Sequence, residues 1–219
     1  MGVVEHLVAA VAAGAAGGAV YPLLRRIDRA YPPIGLVDSA RDRRAARWLC
    51  GSFPAVAAIL GARLGLVARL PPVLYLAAVG TVLVCVDIRS RRLPDRLTLP
   101  SYPVLLVLLG VAAAVERASR PLLHAIIAMV VVGLIYAVLS LASGGAGIGL
   151  GDAKVAGLLG LTLGWWGTGP VIYGLLIVHT AAGVFGLGLG LTGRAGRGST
   201  IALGPFLIGG WALAVVIFG

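Results

Sequence analysis

Apolar stretches of about 18–22 residues recur along the chain, separated by short polar segments, and each is long enough to cross a bilayer core as a helix. Eight spans are predicted, over residues 3–23, 48–67, 70–88, 98–115, 121–142, 153–169, 170–191 and 200–218. The second and sixth carry the weakest pattern. Arg63 interrupts the one, and Gly164, Gly167, Gly169 and Pro170 blur the end of the other. The first lacks a signal-peptide layout, because Glu5 stands where a basic start is expected and the apolar run is too long. The pattern predicts an all-α, polytopic membrane protein of about eight transmembrane helices, with the lipid bilayer as its surroundings.

Composition strengthens this picture. Of 219 residues 59% are hydrophobic and 12% charged, whereas a soluble domain carries about a quarter charged residues. No water-facing surface can be built from such a chain. The 33 glycines suit membrane helices that pack closely through small residues. The net charge of +10 invites a nucleic-acid reading, but the basic residues are concentrated in 25–47, 89–96 and 193–198. With eight spans these loops and Lys154 share one side and hold 14 of the 18 basic residues. That asymmetry assigns them to the cytoplasm and both termini to the outside. The loops lack interleaved aromatics, so anionic lipid and topology account for the charge, and no nucleic acid is expected. Cys50 and Cys85 stand singly without CxxC or His-rich spacing, which leaves no basis for zinc or a disulfide framework. Neither a metal nor another cofactor is expected.

Only eight acids exist, so each can be considered. Asp28, Asp38, Asp42 and Asp95 lie in basic loops, and Glu5 and Glu116 near outer span ends. Asp87 closes the third span and Asp152 opens the sixth, at the same membrane level. Ionisable groups at such depth are costly and point to function. Alone, each has a structural explanation: Asp152 can cap the following helix, and Asp87 can reach the interface beside Arg89 or Arg91. As a pair they carry what an aspartyl protease requires. One carboxylate takes a proton from water; the other, protonated, polarises the scissile carbonyl and later protonates the leaving amine. Close like charges cannot both ionise, so such a pair shares one proton. Gly144, Gly145, Gly147, Gly149 and Gly151 precede or flank the second acid, and they predict positive φ and room for an extended substrate strand. Such a segment is tolerated at membrane depth where it lines a water-accessible cavity. A phosphate-binding loop is excluded, since no Lys-Ser/Thr follows and the aspartate would repel phosphate.

Three stretches resemble a known family. "GLGD" (149–152), within "GIGLGDAKVAGLLG", is similar to the GxGD motif of bacterial type IV prepilin peptidases. "VDIRSRRLPDRLTLP" (86–100) resembles their first-aspartate segment, and "IALGPFL" (201–207) the opening of their last helix. The resemblance implies one integral-membrane peptidase domain over 1–219, with 25–47 as its basic cytoplasmic loop and 83–207 as the best-matching catalytic region. It implies a GxGD intramembrane aspartyl endopeptidase of the bacterial inner membrane, cutting basic leaders from type IV or Flp-type prepilins or pseudopilins at the cytoplasmic face. Its catalytic pair would be Asp87 and Asp152. Gly149 and Gly151 would receive the substrate strand, and Lys154 would meet an acidic residue of the pilin helix. Asp95 would be a helix start or an arginine partner. Many members carry paired CxxC motifs in a loop after the first span and methylate the new N-terminus. Residues 25–47 contain no cysteine, so methylation is expected to be absent or supplied elsewhere.

Two other classes stay open on the residues alone: a proton-coupled small transporter, and a non-catalytic membrane protein of pilus assembly. No internal repeat of the kind many transporters show is evident between the halves. His179, mid-span, is expected to be a packed, hydrogen-bonded histidine. Trp165, Trp166 and Trp211 are expected as interfacial anchors.

Overall fold

The structure, a computed structural model, describes residues 3–17, 40–90, 93–143, 148–192 and 202–219. Among these the regular elements are eight α-helices and one short 3-10 turn: α1 (Val3–Gly17), α2 (Ala40–Leu64), α3 (Leu70–Ser90), α4 (Asp95–Glu116), α5 (Ser119–Ala142), α6 (Leu150–Leu163), the 3-10 turn Gly164–Trp166, α7 (Thr168–Leu191) and α8 (Gly204–Phe218). One helix falls on each predicted span. Four are long and apolar enough to cross a membrane, namely α3 over Leu70–Ile88, α4, α5 and α7, while Gly51–Leu64 and α8 are shorter apolar segments. This is an all-α, multi-pass membrane protein. The loop expected over 25–47 gives way to helix at Ala40; its part over 25–39, and the basic segment 193–198, lie outside the described residues.

The helices form two compact units, divided between Ala118 and Ser119. In the first, α1 packs on α2 so closely that a Cβ on Gly61 would stand 2.6 Å from the Ala9 carbonyl oxygen. Only glycine fits there, the small-residue contact that lets membrane helices approach. Helices α3 and α4 form an antiparallel hairpin. Pro71 and Pro72 fall in the first turn of α3, where no intrahelical N–H is lost. At that end Arg69 Nη1 lies 3.8 Å from Glu116 Oε2 at the close of α4. Between the helices Tyr75 Oη donates to Ser101 Oγ at 3.2 Å, since the serine hydroxyl is committed to the Leu97 carbonyl at 2.7 Å. Helix α4 stops at Arg117, whose φ of 53° is left-handed and whose N–H returns to the Ala113 carbonyl.

The second unit is built round α6. Its residues Ala153 and Val155–Leu163 are all buried, as expected of a helix apolar on every side. Helix α5 runs antiparallel to it in close contact. A Cβ on Gly160 would meet the Ala128 oxygen at 2.7 Å, one on Gly164 the Ala125 Cα at 2.8 Å, and one on Gly133 the Gly157 Cα at 3.7 Å. The sixth span ends earlier than the predicted residue 169. Helix α6 stops at Leu163, a 3-10 turn follows, and Gly167 at φ 102° redirects the chain into α7. Two tryptophans also depart from expectation. Trp165 and Trp211 are buried within the unit rather than anchored at an interface. Trp211 Nε1 donates to Thr162 Oγ1 at 2.8 Å, which ties α8 to α6.

Candidate active site

Asp87 occupies the last turn of α3, at the end of the hairpin away from Arg69 and Glu116. It is 5% exposed, and Leu83, Cys85 and Val86 before it are buried too. Asp95, eight positions on, is exposed and begins α4 behind Pro94. It is a helix start, as expected.

Asp152 belongs to the second unit and is the third residue of α6. Gly149, just before the helix, donates its N–H to Asp152 Oδ2 at 2.9 Å, while the Asp152 N–H donates to the Gly149 carbonyl at 3.0 Å. This is the acidic half of a capping box. The capping role that the sequence allows is therefore real, and it holds the carboxylate still. The expected positive φ is absent at both described glycines of the motif: Gly149 is extended at φ −78°, and Gly151 lies within the helix. A Cβ on Gly149 would meet Asp152 Oδ2 at 3.4 Å, an ordinary contact, so what this position gives the acid is its backbone N–H. Gly144, Gly145 and Gly147 lie outside the described residues. Lys154 is half-buried two residues beyond Asp152 on another face of α6.

Close helix contacts fix what lies level with Asp152. The contacts of Gly133 with Gly157, Ala128 with Gly160 and Ala125 with Gly164 define one antiparallel register. Continued to the start of α6, it brings Asp152 level with residues 136–138 of α5. Tyr136 is there, 1% exposed, with its hydroxyl 3.3 Å from His179 Nε2. His179 is thus hydrogen-bonded as expected, but it is exposed on its unit rather than packed. Tyr136 is a residue that sequence reasoning misses, and its only signal there is slight: a phenol in a largely apolar span.

The profile of the type IV leader peptidase family matches residues 74–191, a stretch that contains both Asp87 and Asp152. The chain belongs to that family. Relatives named prepilin leader peptidase/N-methyltransferase include one from Aeromonas salmonicida, 33% identical over 141 residues, covering 63% of this chain and 46% of the relative. Another, from Aeromonas hydrophila, is 30% identical over 189 residues, covering 84% and 58%. A third, from Xanthomonas campestris pv. campestris, is 33% identical over 134 residues, covering 58% and 44%. The chain thus spans about half the length of the type IV leader peptidases it matches. No solved structure matches it.

Proposed function

We propose that this chain is an intramembrane aspartyl endopeptidase that removes the basic leader of a prepilin or pseudopilin, with Asp87 and Asp152 as its catalytic pair. The observation that carries this reading is the burial of Asp87 inside the family-matched region. Ionisable groups are rare at membrane depth and mark functional positions there. Depth supports the reading too. Helix α5 has 24 residues and is about 36 Å long against a hydrocarbon core of about 30 Å. Asp152, level with residues 136–138, then falls roughly 5 Å inside the hydrocarbon edge. Cleavage at that depth suits a substrate whose apolar helix remains in the bilayer while its leader projects into water.

Helix polarity divides the roles. Asp152 stands at the positive pole of α6 and accepts the Gly149 N–H; Asp87 stands at the negative pole of α3. In this mechanism Asp152 takes the proton from water as the water oxygen adds to the scissile carbonyl carbon. Asp87 carries the shared proton and hydrogen-bonds the carbonyl oxygen. Collapse of the tetrahedral species breaks the C–N bond, and the amine leaves with a proton from the pair. We assign peptidase activity alone to this chain, because its segment 25–47 holds no cysteine.

Asp87→Asn and Asp152→Asn should each abolish cleavage of a co-expressed prepilin while the protein remains in the membrane. Retained cleavage by either variant would overturn the pairing. The cytoplasmic face is tested by cysteines at Ser90 and Ser119 in a background without Cys50 and Cys85. An impermeant thiol reagent should label position 90 only in opened cells or inside-out vesicles, and position 119 in intact cells. The reverse pattern would put the aspartates on the side away from the leader.

A further inference from the structure

Tyr136 and His179 are two polar side chains in largely apolar spans, and they meet each other. His179 Nδ1 lies 2.7 Å from the Leu175 carbonyl of its own helix. A carbonyl can only accept, so Nδ1 carries the hydrogen, and in the neutral imidazole Nε2 is then the acceptor. The Tyr136 hydroxyl therefore donates to Nε2 across 3.3 Å, and the rings lie tilted with centroids 5.7 Å apart. The tyrosine proton is committed to α7, which leaves the phenolic oxygen as an acceptor. That oxygen lies on the helix that packs against α6, at the level of Asp152 by the register of the three close contacts. The Asp152 carboxylate is also within electrostatic range of it. Packing alone does not require this arrangement. Phenylalanine would fill the same buried space without a hydroxyl to satisfy, and His179 is exposed on the surface of its unit.

We propose that Tyr136 orients the attacking water beside Asp152 and that His179 is the positioning residue for Tyr136. His179 fixes the direction of the tyrosine hydroxyl, and the phenolic oxygen accepts the second O–H of the water whose first O–H points at Asp152. This rests on the assignment of Asp152 to the catalytic pair. It adds a water-orienting acceptor from α5 and a residue on α7 that sets its polarity.

The test is cleavage kinetics of the full chain in detergent with a purified prepilin carrying a basic leader. Tyr136→Phe should lower kcat about five- to tenfold, the worth of one hydrogen bond, with KM unchanged. His179→Leu should do the same, and His179→Gln should recover most of that loss because its amide oxygen can replace Nε2 as acceptor. The double variant should be no slower than either single one, since both act along one chain of hydrogen bonds. If Tyr136→Phe proves unstable, comparing His179→Leu with His179→Gln at the exposed position decides the matter equally well. Wild-type kcat in Tyr136→Phe or in His179→Leu, or losses that multiply in the double variant, would overturn the proposal. Asp152→Asn run alongside separates the two failures. An active Asp152→Asn sinks the catalytic assignment itself, whereas an inactive one beside unaffected Tyr136→Phe and His179→Leu sinks this inference alone.

Discussion

Asp87 ends a helix of 21 residues, whereas Asp152 begins one of 14, and their surroundings differ. Helix α3 is an ordinary membrane helix with Asp87 buried in its last turn. Helix α6 is about 21 Å long and too short to cross a core of about 30 Å. It survives because Ala153 and Val155–Leu163 are buried within its unit. Its carboxylate is half-buried and accepts the N–H of the extended glycine before it. Burial marks the first aspartate and a local backbone hydrogen bond the second, so at Asp152 the structural part of a substitution can be measured against one named bond.

The largest effect sharpens this contrast. Asp152→Asn and Asp152→Ala should both lose at least about a thousandfold in kcat/KM, the scale of a lost acid–base group. Only the alanine variant should also lose the Gly149 N–H bond, at a cost of about 1 kcal/mol in stability. Asparagine keeps an oxygen acceptor there, so its thermal midpoint in detergent should match the wild type. Equal midpoints for the alanine and asparagine variants would mean that the cap contributes nothing, and the contrast with Asp87 would fail.

How much of this is legible in the sequence follows the same divide. Hydropathy alone locates eight helices, because each apolar run reports its own burial in lipid or protein. Asp87 and Asp152 are legible because carboxylates are so scarce in this chain. The shortness of α6 is only hinted at by Gly164 and Gly167. The break depends on a 3-10 turn and on one positive φ, which composition does not specify. The burial of Trp211 is hidden because its partner, Thr162, is 49 residues away in sequence, and an indole looks the same in a sequence whether it faces headgroups or a hydroxyl. Tyr136 escapes notice for the same reason, with His179 at 43 residues' separation. Gly149 stands out in the sequence, but not for the expected cause: its φ is one any residue can adopt, and what it supplies is a backbone N–H to Asp152.

A much smaller effect is expected at Gly149. Alanine there meets no conformational barrier at φ −78°, and its Cβ would stand in ordinary contact with Asp152 Oδ2 at 3.4 Å. What position 149 gives the carboxylate is its backbone N–H, which alanine keeps. Gly149→Ala should therefore leave kcat, expression and thermal midpoint close to the wild type. A loss of about tenfold in kcat, the scale of a misplaced catalytic group, would show that position 149 acts on Asp152 through more than its N–H.

The smallest effect belongs to Asp95, the acid nearest to Asp87 in the chain and the natural rival for its role. It is exposed at the start of α4, where a negative charge favours the helix by a few tenths of a kcal/mol. Asparagine is also accepted at helix starts, so Asp95→Asn should keep cleavage within about twofold of the wild type and shift the thermal midpoint slightly if at all. The physical difference between the two acids is burial: Asp87 is enclosed by its unit, and Asp95 is exposed. An inactive Asp95→Asn beside an active Asp87→Asn would reverse that logic and give the first unit's catalytic acid to the exposed helix start.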